Sequence, residues 1–307
     1  MKPRLVPRLA LLAALGLAFL SGCGGDTPTV APSEPPIEPE GETRVLTYFG
    51  IAQYRGAVGT DYLRYINDQF TYSNLVAVSF EYDSSDRIIA PTPSYLAAIQ
   101  GFPKSALLIG QDVWSLSLSR RQNLFQRLRA MVGYENIDVI GIIDEPYLGG
   151  FSPAQLQNII TEGKQSFPNK QYAVNYNPRE FYAQNRGPNA PLYDGQLHYI
   201  SFDMYPANFE TSCTNQTAWK QKVKEDIDFF QARTGKPLLY TGQGFSRAGC
   251  ALTPDMIQWT YDVAAAEGVF GLMFWFAEDL QAPFTGFSST PVAEQKIREV
   301  GRRITGK

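Results

Sequence analysis

The sequence contains a single histidine and three cysteines among its 307 residues, which limits the metal chemistry it can support. Zinc centres are built mainly from histidine and cysteine ligands, so a site of that kind is not expected. A calcium site built from carboxylates stays open. No Gly-x-Ser-x-Gly elbow is present, which leaves a serine-hydrolase mechanism without support. We therefore expect no cofactor, and we name no metal-ligating residue.

An excess of positive charge is also missing, because 27 lysines and arginines stand against 30 aspartates and glutamates. Proteins that bind nucleic acid present a basic face to its phosphates. The composition therefore predicts no nucleic-acid partner. Five of the acidic residues lie between residues 24 and 43, so the rest of the chain is close to charge balance.

Long hydrophobic runs are absent, and the most apolar stretch near the N-terminus covers only residues 9–20. Basic residues precede this run, which is too short to span a membrane and is typical of a secretory signal. It ends in Leu20-Ser21-Gly22-Cys23, which resembles the lipobox of bacterial lipoproteins. The resemblance implies a signal peptide over residues 1–22, lipidation of Cys23 and a lipid anchor in the bacterial cell envelope, on the periplasmic or outer surface. The alternative is an ordinary signal peptide that contains a cysteine.

Residues 23–43 are rich in proline and glutamate and have almost no bulky apolar side chains. Such a segment cannot offset its ordering entropy by burial, so we predict a flexible tether. Cys213 and Cys250 then remain as an even pair in an exported protein, where disulfides form. We predict a disulfide between them that contributes roughly 3–4 kcal/mol in the loop-entropy model. The alternative is two reduced thiols.

Eight apolar runs recur at a regular interval from residue 44 onward, with helical signals between most of them. Eight strand–helix units predict an α/β protein of one domain, a (β/α)8 TIM barrel over residues 44–307. A doubly wound open sheet is the alternative, but no glycine-rich phosphate turn follows the first run. The runs are Val45–Ile51, Leu75–Phe80, Ala106–Gly110, Ile137–Ile143, Gln171–Tyr176, Tyr199–Met204, Pro237–Thr241 and Val269–Phe276.

The helix starts are marked by capping residues. Ser152 and Thr253 each precede a proline, which is typical of an N-cap followed by the first helical position. Ser119, with Gln122 three residues later, predicts a capping box, and Thr60 a further N-cap. The segment over residues 178–196 is poor in helix formers, so its helix is expected to be short or missing.

Barrel enzymes carry their sites at the carboxyl ends of the strands, where this chain has acids, amides and aromatic rings. That mixture suits sugars, because polar groups bond hydroxyls while ring faces stack on the sugar. The fourth run stops at Asp144 and Glu145, whose side chains would point to opposite faces of a regular strand. The residues expected to bind substrate are Tyr48, Trp114, Asn175, Tyr176, Tyr205, Gln243 and Trp275.

Three short motifs, Asp144–Pro146, Ser201–Pro206 and Phe274–Phe276, resemble the glycoside hydrolase superfamily of barrels. In its large retaining clan an Asn-Glu pair ending strand four holds the acid/base, which implies that role for Glu145, with Asp144 replacing the asparagine. The same clan places its nucleophilic glutamate at the end of strand seven. This chain has Gln243 there, and an amide cannot act as a carboxylate nucleophile.

Glycoside hydrolysis also needs a second carboxylate, about 5–5.5 Å from the acid for retention or roughly 6.5–9.5 Å for inversion. Asp203 or Glu278 are candidates for this group. Alternatively, Asp144 orients a substrate acetamide as internal nucleophile, as in the Asp-Glu pair of hexosaminidase-type barrels, which implies an N-acetylhexosamine substrate. Glu145 is the proton donor in every version.

The sequence therefore predicts a monomeric, membrane-tethered glycoside hydrolase or transglycosylase that acts on an extracytoplasmic polysaccharide or oligosaccharide. A non-catalytic carbohydrate-binding lipoprotein on a degenerate glycosidase barrel is the alternative, and Gln243 keeps it open. A structural envelope lipoprotein is a third interpretation.

Overall fold

The computed structural model describes residues 46–52, 66–182, 185–208, 213–275 and 285–307. The predicted signal peptide over residues 1–22, the tether over 23–43 and the lipidated Cys23 lie outside these ranges. So do the Thr60 cap and the candidate carboxylate Glu278.

Eight parallel strands form the centre of the molecule, one for each predicted apolar run. Their side chains are mostly buried, as expected for strands covered on their outer face by helices and filled on their inner face by other strands. The strands are β1 (Tyr48–Ala52), β2 (Leu75–Tyr82), β4 (Lys104–Ile109), β5 (Val139–Asp144), β6 (Gln171–Tyr176), β7 (Tyr199–Asp203), β8 (Leu238–Gln243) and β10 (Gly271–Trp275).

The sheet closes on itself. Each of these strands pairs in parallel with the next in chain order, and β10 pairs with β1, which also pairs with β2. The predicted (β/α)8 TIM barrel is thereby confirmed. Three short strands lie outside the ring: β3 (Ile88–Ala90), antiparallel to β2, and the pair β9 (Phe245–Ser246) and β11 (Thr285–Gly286).

Seven α-helices lie wholly within the described ranges, and residues 66–69, between β1 and β2, are helical as well. Ser152 and Thr253 are N-caps as predicted, and Ser152 forms a capping box with Gln155. The prediction for Ser119 was wrong: Ser117 caps that helix, and Ser119 lies inside it because the helix begins two residues earlier. The helices are α1 (Pro93–Ile99), α2 (Gln111–Trp114), α3 (Leu118–Arg129), α4 (Pro153–Ser166), α5 (Gln216–Arg233), α6 (Pro254–Ala266) and α7 (Pro291–Thr305).

The connection between β6 and β7 contains no α-helix among its described residues, as the sequence predicted. It has two single turns of 3-10 helix instead, Pro178–Phe181 and Asp194–Gln196. The first of these turns directly follows the carboxyl end of β6. Its Glu180 accepts hydrogen bonds from Tyr147 and Leu148, which follow β5.

Large side chains pack in the layer between the barrel and the helices. Trp219, Phe125 and Phe230 are among the fully buried residues there. A second and smaller cluster lines the inside of the barrel and consists largely of alanine, leucine, valine and methionine side chains. Within the described residues, no helix has both the length and the apolar character needed to cross a bilayer.

A disulfide joins Cys213, which precedes α5, to Cys250, which follows β9, and confirms the predicted pair. The Cα atoms lie 5.6 Å apart. Arg247 and Cys250 exchange two backbone hydrogen bonds of 3.1 and 2.9 Å, so the disulfide anchors a tight hairpin at the carboxyl end of β8.

Replacing both cysteines by alanine (Cys213→Ala with Cys250→Ala) is expected to lower the free energy of unfolding by roughly 3–4 kcal/mol, because the unfolded chain regains the entropy of a long loop. Urea unfolding of the oxidised protein and of the variant measures the difference. A reductant should bring the wild type to the variant's midpoint and leave the variant unchanged. Equal midpoints without reductant would contradict the prediction.

Candidate active site

The end of β5 brings two adjacent acids to one cavity. Asp144 is the last residue of the strand, and the pairing of β5 with β6 is irregular between Gly141 and Asp144. Glu145 follows with a positive φ of 40°, in the left-handed region that side chains other than glycine rarely adopt. A regular strand would send the two side chains to opposite faces. The irregularity and the left-handed turn instead let both line the cavity at the mouth of the barrel.

The amide of Asn175 joins two carboxylates. Its Nδ2 donates to Oδ1 of Asp144 at 2.8 Å and to Oδ1 of Asp203 at 3.0 Å. Its Oδ1 accepts from the hydroxyl of Ser201 at 2.8 Å, which fixes the orientation of the amide. Both acids bond the same nitrogen, so the two bonded oxygens lie closer together than roughly 6.5 Å. That is the shortest separation of the two carboxyl groups in an inverting mechanism.

Asp203 completes a group of three acids. Its side chain is 3% exposed and lies next to Glu145 and Tyr205. Burial, followed by the charges of Glu145 and Asp144, raises the pKa of Asp203 well above its ordinary value.

Asp144 is open to water inside the cavity, while the barrel wall encloses it on its other sides. This enclosure is the main cause that raises the pKa of Asp144 from 3.8 to about 6, with the charge of Glu145 second. The hydrogen bond from Asn175 acts in the opposite direction. Asp144 is therefore more accessible to water than Glu145 and Asp203, and its pKa is about 6.

Glu145 is held by Asn177, a polar residue at the end of β6 that was not counted among the substrate-binding residues. Nδ2 of Asn177 donates to Oε1 of Glu145 at 2.7 Å, and the backbone N–H of Glu145 donates to the carbonyl of Asn175 at 2.9 Å. The two contacts fix the carboxyl and the backbone of Glu145 from the neighbouring strand.

Glu180 lies behind the site, outside the cavity, and supports the position of Glu145. Its side chain is fully buried and accepts three backbone hydrogen bonds, from Tyr147, from Leu148 at 2.8 Å and from Asn177 at 2.9 Å. It thus ties the loop after Glu145 to Asn177. The pattern Asn177-Pro178-x-Glu180 is a capping box, and this is the signal by which the sequence could have predicted it.

Three rings line the cavity beside the acids. Tyr205 and Trp275 stack with centroids 5.4 Å apart, and the edge of Phe245 meets each of them, at 5.3 and 5.9 Å. The strand-end rule predicted Tyr205 and Trp275 but not Phe245, which the disulfide-anchored hairpin carries. Flat ring faces of this kind stack on the apolar faces of sugars.

Tyr48 lines the same cavity, but at the amino end of the barrel. It is the first residue of β1, at the amino end of the barrel, whereas the acids lie at the carboxyl ends. The expectation that it stands beside the acids is therefore wrong, because the strand begins at Tyr48 and not before it.

Three other residues expected to bind substrate are not among those lining the cavity. Trp114 is buried and donates from Nε1 to the carbonyl of Ile142 at 2.6 Å. Tyr176 follows Asn175 in β6, so it points outward and its hydroxyl donates to the carbonyl of Leu192 at 2.6 Å.

Gln243 is the third expected substrate-binding residue that does not line the cavity. Both polar atoms of its amide are hydrogen-bonded to backbone groups. Oε1 accepts from the N–H of Ala207 at 2.8 Å, and Nε2 donates to the carbonyl of Phe245 at 2.7 Å. Its side chain is 2% exposed. Gln243 therefore joins two loops of the mouth and is not placed to contact a ligand.

The cavity measures about 620 Å³, within the size range of sites for small ligands. Across the described part of the chain, no group of three or more histidine, cysteine, aspartate or glutamate side chains is arranged to hold a metal ion. What the site offers chemically is a cluster of three carboxyl groups, two of them with raised pKa values, next to a wall of aromatic rings.

No protein-family profile and no curated protein matches the sequence. Solved structures match it by fold. The hyperthermostable endo-1,4-β-D-mannanase from Thermotoga petrophila RKU-1 is 14% identical with a TM-score of 0.56, over 84% of this chain and 100% of its own. The glycoside hydrolase family 17 β-1,3-glucanosyltransferase from Rhizomucor miehei is 16% identical with a TM-score of 0.58, over 78% and 92%. A GH113 β-1,4-mannanase is 11% identical with a TM-score of 0.53, over 84% and 99%. These likenesses show that the chain has the barrel fold of these glycoside hydrolases.

Asp144→Asn is expected to raise the melting temperature at neutral pH. The carboxyl titrates at 3.8 in the unfolded chain and at about 6 in the folded one, so the folded state binds the proton more tightly. Stability present at low pH is therefore lost as the pH rises through about 6. An asparagine does not ionise, and it keeps the acceptor for Asn175. Melting curves from pH 4 to 8 should show a gain for the variant that disappears toward pH 4.

Asp83→Asn is the control of opposite sign. Hydrogen bonds from the backbone and side chain of Arg87 lower the pKa of Asp83, so its contribution is present at neutral pH and lost on acidification. This variant should melt below the wild type at pH 7 and converge with it at low pH. A loss of stability at pH 7 in Asp144→Asn would contradict the assignment.

Glu180→Gln is expected to lower the free energy of unfolding by about 1–3 kcal/mol, because one of the three buried N–H groups then faces an amide NH₂ instead of an acceptor. Urea unfolding measures the change. Glu135→Gln, which makes the same substitution at an exposed position, should remain within about 0.5 kcal/mol of the wild type. Two indistinguishable variants would show that Glu180 does not hold the loop.

Proposed function

We propose that this chain is a glycosidase, a hydrolase or transglycosylase of a polysaccharide or oligosaccharide, in which Glu145 gives a proton to the leaving oxygen. The observation that carries the proposal is the convergence of Asp144, Glu145 and Asp203 around the amide of Asn175, beside stacked rings at the carboxyl end of the barrel. The acids supply the chemistry and the rings a surface for the sugar.

The proton inventory supports the role of Glu145. Three carboxyl groups this close cannot all be ionised at neutral pH, so the group retains a proton. Asp203 is buried and lies next to Glu145, while Glu145 is only partly buried and lines the cavity. A proton retained by the group can therefore reach a leaving oxygen through Glu145.

Asp144 is the second carboxyl that a sugar can reach. Asp203 is surrounded by Asn175, Tyr205 and Glu145, so it would have to displace a partner to approach a sugar carbon. Asp144 is open to the cavity and is fixed by a single amide contact of 2.8 Å. We assign it to the anomeric side, where it acts directly or orients a substrate acetamide. Asp203 then serves as the partner that holds the proton.

The predictions for Glu278, the lipobox and the tether concern residues outside the described ranges and remain predictions from the sequence alone. Glu278 lies outside the described residues and remains a possible second carboxylate. The lipobox and the tether suggest that the enzyme acts outside the cytoplasm, held to a membrane through a lipidated Cys23.

A carbohydrate-binding protein without activity is the second candidate. It is favoured by Gln243, an amide at the strand-seven position where the retaining clan carries its nucleophile, with both polar atoms bonded to backbone groups. The aromatic wall and the amides suit binding as well as they suit catalysis.

Glu145→Gln is expected to lower kcat on polysaccharides by about 10²–10⁴-fold, because the leaving oxygen no longer receives a proton. Turnover is measured on a panel of polysaccharides and on aryl glycosides. A dinitrophenyl leaving group departs without protonation, so the variant should retain much more activity on dinitrophenyl glycosides than on polysaccharides. Glu135→Gln, far from the cavity, should behave as the wild type.

The outcomes separate the candidates. Loss of turnover with retained glycan affinity supports a proton donor at Glu145. Glycan binding by the wild type without turnover on any substrate supports the binding protein. An equal loss on activated and natural substrates would show that Glu145 has another role, and no glycan affinity at all would overturn both.

A further inference from the structure

The cavity continues far below the acids. It is lined by both ends of the same strands: by Tyr48 and Ala52 of β1, and by Tyr199 and Asp203 of β7. A five-residue strand spans about 13 Å between its first and last Cα atoms. The mouth therefore leads into a lumen that runs along most of the barrel.

The middle of this lumen is lined by small and larger side chains together. Ala52, Ala106, Ala173 and Gly141 lie beside Leu75, Leu108, Val139, Leu239 and Met273. TIM barrels normally fill this space with layers of bulky branched side chains. Here four of the lining positions carry only alanine or glycine, and the cavity of about 620 Å³ extends past them.

A floor of rings closes the amino end. Phe270 packs against Tyr48 at 5.1 Å and against Tyr199 at 5.8 Å, measured between centroids. The ammonium of Lys104 lies 5.6 and 5.7 Å from the two tyrosine rings and donates to Gln171 at 3.0 Å. Its charge is therefore engaged at the floor.

The lumen thus has a polar mouth, an apolar interior and a closed end. An eight-stranded barrel is only wide enough inside for side chains, so the occupant must be narrow. We propose that the lumen binds a linear aliphatic chain, with a polar head that stays at the ring of Asp144, Glu145 and Asp203. The ligand class is an uncharged amphiphile, such as an alkyl alcohol or the alkyl part of a glycolipid. This site does not depend on catalysis by Glu145.

The test uses n-butanol, n-hexanol and n-octanol, with binding to the full protein measured by calorimetry. Burial of each added methylene in the lumen should tighten Kd about fourfold, so octanol should bind about two orders of magnitude more tightly than butanol. The heat-capacity change of octanol binding should be negative. A Kd that does not depend on chain length would overturn the proposal.

Ala173→Leu places an isobutyl group in the middle of the lumen and should abolish the dependence on chain length. Ala154→Leu adds the same atoms at an exposed position of α4 and should bind as the wild type does. If Ala173→Leu does not fold, Ala106→Leu fills the lumen from β4. A steep dependence that persists in the filled variant would show that the chain binds elsewhere, which also overturns the proposal.

Discussion

The site depends on one amide nitrogen that serves two carboxylates. Asn175 reaches Asp144 on one side and Asp203 on the other because β5, β6 and β7 are neighbours in the ring, with Asp144 opposite Asn175 and Asn175 opposite Ser201. Strand register therefore sets the distance between the acids. Closure of the barrel holds that register, since a strand that slipped by one residue would turn these side chains toward the helices.

Register alone does not explain Glu145. A left-handed φ at a glutamate costs on the order of 1–3 kcal/mol and persists only where the surroundings impose it. Here the carbonyl of Asn175 holds the N–H of Glu145, and the buried Glu180 holds the next two N–H groups along with that of Asn177. A carboxylate that never meets the cavity thus maintains the conformation in which two consecutive acids face it. Strain at the site is balanced by hydrogen bonds one layer behind it.

The sequence predicted the barrel because buried parallel strands appear as continuous apolar runs, and it predicted the acids because such runs end at polar residues. It could not predict which strand-end side chains face inward. Tyr176 and Gln243 were assigned to the cavity by position, yet one points outward and the other is bonded to the backbone of Ala207 and Phe245. Opposite faces for Asp144 and Glu145 were expected only for a regular strand, and the pairing of β5 with β6 is irregular at this point.

The largest buried side chains lie between the barrel strands and the helices. Trp219, Phe125 and Phe230 are fully buried between the barrel and its helices, while alanine, leucine, valine and methionine side chains line the inside. An open lumen forgoes the burial that bulky interior layers would give, and clustered acids lose further stability at neutral pH. Both costs fall on the interior and the mouth, where stability is commonly exchanged for function. The outer layer lies elsewhere, so it can stabilise the fold without filling the space that a ligand would occupy.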